Sequence, residues 1–419
     1  MTLIKTSLVN AIAVVVKMLT LLGLNKLLAV SVGPVGYAAL GQFQNAMTMI
    51  TTFASGAINT GVTKYTAEYY DNEEEQRAVW RTAGTIAFIG SLSTSLLIAL
   101  FSKSLAIWFL NDENYASVFL WFAATLVFFV FNALFLAILN GKKEIGRYVA
   151  ANIAGSLFAL LITSVLAVQY GLYGALVSLA IFQSVAFIVT LMLCYRANWF
   201  KFSYLIGAFD KQIAKNLAQY TLMALSAAAC IPICQIFIRS HLGDTLGWEA
   251  AGYWEAMWRL STAYLLLVTT TLSVYYLPRL SELKDPKEIK KEIAQGYKVI
   301  LPAVIVCSFL IYLFRDQIVG LLFSAEFYPI RDLFLGQVIG DTLKIGSWIL
   351  AYLMLGKAMT HYFVITEIMF AIIFYCMAVV MTNLWGLEGV SWAYAANYLL
   401  YWIVMYFLVF RNLDDGVNV

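Results

Sequence analysis

Long apolar stretches separated by short polar breaks run the whole length of this 419-residue chain. About 20 consecutive apolar residues suffice for a helix to cross a bilayer. On that measure the pattern predicts twelve spans, near 8–30, 37–62, 82–109, 116–139, 148–168, 175–195, 217–238, 251–277, 297–314, 333–355, 361–381 and 389–410. The breaks between them carry helix stops or turn chemistry: Gly33-Pro34-Val35-Gly36, Asn111-Asp112-Glu113-Asn114, Gly141-Lys142-Lys143-Glu144, Pro278-Arg279, and two Gly-Leu-x-Gly turns beginning at Gly171 and Gly386. Pro232, inside the seventh span, removes a backbone donor and predicts a kink or bending point there.

The pattern also repeats. Residues 139–196 recur without a gap at 354–411, so that Gly141-Lys142 returns as Gly356-Lys357, Gly171-Leu172-x-Gly174 as Gly386-Leu387-x-Gly389, and Arg196 as Arg411. This reads as an internal duplication. A weaker echo, Gly36-Tyr37 against Gly252-Tyr253, extends it to six spans plus six. An even number of spans per copy makes the copies run in the same direction. The expected fold is therefore an all-α polytopic membrane protein, with 12 transmembrane helices in two parallel six-helix lobes around a central cleft. The expected boundaries are 1–200 for the N-terminal lobe, 201–216 for a cytoplasmic linker and 217–419 for the C-terminal lobe. Two lobes that rock against each other form a transporter design.

Composition agrees with the pattern: 62% of residues are apolar and 12% charged, with a mean hydropathy of +0.80, whereas soluble domains average about 25% charged residues. The first span carries Lys17 and ends without a small-residue cleavage pattern, so it is expected to remain as a helix. All five cysteines lie in apolar spans and read as packing residues. The two histidines, His241 and His361, are too far apart in sequence to suggest a metal site. Basic residues are dispersed over many loops, which argues against a nucleic-acid face. Those loops fall into two alternating sets. One holds 19 Lys and Arg residues, and the other holds only Lys103, Arg239, Arg315 and Arg331. By the positive-inside rule both termini are expected in the cytoplasm.

Some charges lie inside the spans: Lys17 and Lys26 in the first, Glu255 and Arg259 in the eighth, Asp341 and Lys344 in the tenth, and Glu367 in the eleventh. Each costs roughly 2.5 to 3.5 kcal/mol at a bilayer centre, so it should face water or another charge. Glu255 and Arg259 are spaced to pair along one helix face, as are Asp341 and Lys344. Such pairs either hold helices together or line a cavity. Lys26, near the end of its span, is placed to snorkel. Lys17 has no acid in its own span, so a carboxylate from another helix or an anionic substrate must answer it. Glu367 is an isolated carboxylate, suited to ion coupling or to partnering a lysine. Asn59 to Tyr65, which includes Lys64, and Gly141-Lys142-Lys143 with Arg147 place cations at the membrane edge. They suit a phosphate head group, although positive-inside topology produces the same pattern.

Five segments resemble the Wzx polysaccharide flippases: Leu27-Leu28-Ala29-Val30-Ser31-Val32-Gly33-Pro34, Gly61-Val62-Thr63-Lys64-Tyr65, Tyr220-Thr221-Leu222-Met223-Ala224-Leu225, Ser273-Val274-Tyr275-Tyr276-Leu277-Pro278 and Arg331-Asp332-Leu333-Phe334. The resemblance spans essentially the whole chain. It implies membership of the multidrug/oligosaccharidyl-lipid/polysaccharide superfamily. It also implies alternating-access transfer of an undecaprenyl-pyrophosphate-linked oligosaccharide to the periplasmic leaflet of the bacterial inner membrane. Lys17, Lys26, Asn59, Lys64, Arg239, Asp341, Lys344 and Glu367 coincide with the family pattern. Thr262 stands where part of that pattern has an aspartate, with Arg259 one turn earlier, so both an O-antigen unit and lipid III, the precursor of enterobacterial common antigen, remain open as cargo.

The expected substrate-binding residues are Lys17, Lys26, Asn59, Lys64, Arg259 and Lys344, with Glu255, Asp341 and Glu367 for coupling or gating. No catalytic residue, metal or bound cofactor is expected. An H+ or Na+ gradient would drive a monomer that works in the bilayer alongside other glycan-assembly membrane proteins. A drug/cation antiporter of the same superfamily is the competing transporter reading. A membrane-bound glycan polymerase or ligase is the competing enzyme, and the short predicted periplasmic connections argue against it.

Overall fold

The computed structural model describes residues 3–205, 207, 209–357 and 359–414, and among these there is no strand. The helices, in chain order, are α1 (Leu3–Ala54), α2 (Asn59–Glu68), α3 (Glu73–Leu100), α4 (Ser102–Leu110), α5 (Ala116–Gly141), α6 (Ile145–Tyr195) and α7 (Lys211–Leu246). They continue with α8 (Trp248–Thr271), α9 (Leu277–Glu282), α10 (Pro286–Leu313), α11 (Arg315–Leu322), α12 (Phe334–Gly356), α13 (Thr360–Trp385) and α14 (Glu388–Asp414). Among the described residues, nine helices are long and apolar enough to cross a membrane.

Two of the nine, Val14–Ala54 and Ile145–Tyr195, have 41 and 51 residues, about twice what a crossing needs. Each is two helices joined at a glycine: Gly33, with φ 65° and ψ −176°, and Gly171, with φ 56° and ψ −135°. These are two of the breaks expected from sequence. A third break, at Asn111, ends α4 in the left-handed conformation with φ 55°. The expected break at Pro278 is not one. The helix continues through a π-helical turn at Leu272–Tyr276 into α9 and stops only after Glu282. A wide turn of this kind absorbs the register change that a proline would otherwise force into a break. α7 likewise runs through Pro232.

Polar caps set the starts of three helices. The Asn72 side chain accepts from the backbone N–H of Glu74 and Glu75, ahead of an acidic first turn. Asp210 accepts from Gln212 and Ile213 at 2.7 and 3.0 Å. Asp285 accepts from Lys287, with Pro286 following it. Each arrangement satisfies orphan donors at a helix N-terminus.

The chain divides into two compact units, the first comprising Met1–Val32 and Ala39–Pro232, the second Gly33–Ala38 and Ile233–Val419. The core of the first is rich in phenyl rings. Phe43, Phe119, Phe122 and Phe135 are fully buried, and Phe43 meets Phe119 and Phe122 edge-on at 5.3 and 6.2 Å. In the second, Leu272, Leu280, Ile345, Ile349, Leu350 and Met354 form an aliphatic core. Beside this core lies a polar interior that buries the charged side chains Arg239, Glu255 and Asp341.

Candidate functional site

That polar interior begins on α7 and α8. Gln235 and Arg239 lie one turn apart on α7. Trp254 Nε1 donates to Gln235 Oε1 at 2.8 Å, and Arg239 donates to Glu255 Oε2 at 2.6 Å. Glu255 Oε1 accepts from Arg259 Nε, also at 2.6 Å, one turn further along α8. The i, i+4 pair expected from sequence is therefore made, but as part of a triad. Arg239, counted in a loop when orientation was read from the sequence, lies fully buried within α7. The reason is local: α7 continues to Leu246, and Glu255 supplies the counter-charge. Glu255 thus bridges two guanidinium groups through its two carboxylate oxygens. Arg259 carries the more exposed guanidinium, which stands 5.4 Å from the centre of the Tyr37 ring. Tyr37 is held edge-on by Phe323 and Phe327.

The second cluster surrounds α12. The Asp341 carboxylate is fully buried and accepts hydrogen bonds from Ser261, Tyr264, Gln337 and Tyr394. Four neutral donors from three helices satisfy it without a cation in contact. The possible pair with Lys344 is accordingly not formed, and no ion pair joins the two. The Lys344 ammonium instead sits among aromatic rings, 5.1 Å from Trp258, 4.8 Å from Trp348, 6.0 Å from Tyr394 and 5.7 Å from Tyr398. Ring faces solvate a cation by their quadrupoles, and a desolvated contact of this kind is worth about 2 kcal/mol. Asp341 and Glu367 both lie within electrostatic range of Lys344. Glu367 is half-buried on α13 and makes no ion pair among the described residues.

The remaining candidates belong to the first unit. Lys17 is exposed on α1 and takes part in no ion pair among the described residues. Lys26 is half-buried on the same helix, and Asn59 is the first residue of α2. Lys64 is exposed, 3.7 Å from Glu68 and 4.8 Å from the Tyr65 ring centre. Lys142, one of the membrane-edge cations, turns inward. Its ammonium donates to Gln76 Oε1 at 2.9 Å and lies within 6 Å of the Tyr70, Trp80 and Trp199 rings. It pins helix ends together instead of offering itself to a head group. Arg147 is paired with Glu144 at 2.8 Å. Among the described residues no group of His, Cys, Asp and Glu side chains could hold a metal ion.

Sequence reasoning missed the Arg239 arm of the triad, the four donors around Asp341 and the aromatic walls of Lys344. One signal was present: Gln235 and Arg239 share a face of α7 just as Trp254 and Glu255 face it from α8.

Comparison with known proteins supplies context for this geometry. The pattern of a family described as "Polysaccharide biosynthesis protein" matches residues 3–284. The chain is 31% identical over 401 residues to the lipid III flippase of Escherichia coli (strain K12), covering 96% of each chain. It matches the lipid III flippase of Shigella flexneri with the same figures. Among solved structures, the inward-facing conformation of a multidrug resistance MATE family transporter of the MOP superfamily has a TM-score of 0.79 at 16% identity, over 95% of each chain. At that identity the likeness is one of fold.

Proposed function

Since the chain belongs to the polysaccharide biosynthesis protein family, we propose that it is a flippase for an undecaprenyl-pyrophosphate-linked oligosaccharide, either an O-antigen unit or lipid III. It carries this cargo from the cytoplasmic to the periplasmic leaflet of the bacterial inner membrane by alternating access. The single observation that carries the reading is the 31% identity to lipid III flippases over 96% of the chain. It is a transporter without catalytic chemistry of its own.

The chain crosses the membrane twelve times, because Val14–Ala54 and Ile145–Tyr195 each break at a glycine and α8 adds a span that its charges keep out of the apolar nine. The six-plus-six lobes join at 201–216, and both termini are cytoplasmic. Lys17, Lys26, Asn59, Lys64, Arg259 and Lys344 are the candidates for binding the pyrophosphate. The geometry of the Arg239–Glu255–Arg259 triad supports this role, since a guanidinium held in place suits bidentate phosphate contact. Glu255, Asp341 and Glu367 gate or couple transport, and Glu367 is the candidate for binding the driving H+ or Na+ because it makes no ion pair among the described residues.

In a strain lacking this chain, the lipid-linked precursor should accumulate on the cytoplasmic side, where mass spectrometry of its sugars identifies the cargo. Normal precursor export together with altered drug susceptibility would instead support the antiporter reading.

A further inference from the structure

α14 has two faces of opposite character. Tyr394, Tyr401 and Met405 are buried in the second unit. On the other side Trp392 and Leu399 line a cavity of about 530 Å³, walled by Ile339 and Leu343 of α12 and Trp385 of α13. Leu399 also lines a second cavity of about 520 Å³, with Tyr297 of α10 and Trp402, Ile403 and Phe407 of α14. The two cavities adjoin at Leu399, and at 100° per residue their α14 linings keep to one side of the helix. They form one groove.

Its length and its ends restrict what can fill it. From Glu388 to Phe407 the helix rises about 28 Å, nearly the whole hydrocarbon thickness of about 30 Å. A phospholipid acyl chain reaches only to the middle of that layer, so it fills about half of the groove. One chain that fills all of it must be about two leaflets deep. Apart from Glu388 at one end, the lining carries no charge. The Tyr297 hydroxyl is already engaged, donating to Gly346 O and accepting from Trp402 Nε1, both at 2.8 Å.

At the other end the chemistry changes. One turn beyond Phe407, the Phe410 ring meets the Lys290 ammonium at 5.9 Å. Lys290 shares a face of α10 with Tyr297, and Lys298 and Arg411 are exposed sequence neighbours of Tyr297 and Phe410. A long apolar slot with amines and a guanidinium at its mouth complements a long-chain isoprenoid pyrophosphate.

We propose that the groove along α14 is a loading site for the lipid-linked substrate, holding its polyprenyl chain along Trp392, Leu399, Ile403 and Phe407 and its pyrophosphate at Lys290, Lys298 and Arg411. The site rests on the flippase reading and extends it, because it lies on the side of α14 opposite Lys344 and precedes delivery to the transport residues.

The test uses the full chain in phosphatidylglycerol nanodiscs, with undecaprenyl pyrophosphate as the long probe and farnesyl pyrophosphate as the short one. A photoreactive residue at position 399 should cross-link the long probe, and unlabelled undecaprenyl pyrophosphate should compete. Leu399→Trp and Ile403→Trp, both at exposed positions, should each lower retention of the long probe at least fivefold and leave the short one unchanged. Cross-links to phosphatidylglycerol alone, or long-probe retention unaltered in both tryptophan variants, would overturn the groove while leaving the flippase reading standing. A wild-type chain that retains no undecaprenyl pyrophosphate would overturn the flippase reading itself.

Discussion

The two copies of the internal repeat share a backbone and differ in what they bury. Gly171 and Gly386 adopt nearly the same conformation, φ 56° and ψ −135° against φ 64° and ψ −144°. Three residues later, a Cβ on Gly174 would lie 1.9 Å from Leu166 O, and one on Gly389 would lie 2.1 Å from Met381 O. In each copy the last helical segment packs against the helix that precedes the copy, α6 on α5 and α14 on α12. Yet where the second copy and its flank have Gln337, Asp341, Lys344, Glu367 and Tyr394, the first has Phe122, Leu126, Phe129, Asn152 and Leu179. One scaffold thus supports both a phenyl-packed interior and an interior of charges. Since a buried charge costs several kcal/mol unless it is answered, the second interior is the costlier of the two, and the first shows what the scaffold does without buried charges.

The largest break in this contrast should come from Glu255. Removing its carboxylate takes away the counter-charge that Arg239 and Arg259 share, and breaking a buried ion pair on one side costs about 3 to 5 kcal/mol. Glu255→Leu should therefore unfold well below the wild type in a detergent melt. Arg239→Leu combined with Glu255→Leu should recover part of that loss, because Arg259 is half-buried and can turn toward solvent. If the double variant is no more stable than the single one, the triad is not the electrostatic unit described.

Next in size are the shared glycines. At φ near 60° with ψ near −140°, the mirror image of extended backbone, an L-residue pays roughly 1 to 3 kcal/mol, and neither Gly171 nor Gly386 has a neighbour within 4 Å of a built Cβ. Gly171→Ala and Gly386→Ala should thus destabilise by about the same amount, through backbone strain alone. Unequal losses in thermal unfolding would mean that the two turns carry different loads despite their matching geometry.

These turns were legible in the sequence because a glycine at a helix break announces its need for positive φ locally, and the repetition of Gly-Leu-x-Gly announced it twice. The Glu255–Arg259 contact was legible for a similar reason, as both residues sit on one helix. Arg239 was not. Hydropathy registers a guanidinium near the end of an apolar run as a loop charge, and the carboxylate that allows it to stay buried lies 16 positions away on another helix. The surroundings of Asp341 and Lys344 were hidden in the same way. Local spacing suggested that the two would pair. Tertiary packing instead gave the carboxylate hydroxyl and amide donors from α8, α12 and α14, and gave the ammonium rings from those same helices.

The smallest effect on stability, and the sharpest test of the contrast, is expected at Lys344. Lys344→Met keeps the length of the side chain and discards its charge, making this position chemically resemble Phe129 in the first copy. The lost cation–π contacts, about 2 kcal/mol, are offset by ending the burial of an ammonium, and exchanging a buried charge for an apolar group is often neutral. Asp341 keeps all of its donors, since Lys344 is not one of them. The variant should therefore melt within about 1 kcal/mol of the wild type, while export of the lipid-linked glycan falls at least tenfold. Full export by Lys344→Met would reduce the aromatic-walled ammonium to a packing element. A loss of several kcal/mol would make it a structural charge, and in either case the assignment of Lys344 to transport would fail.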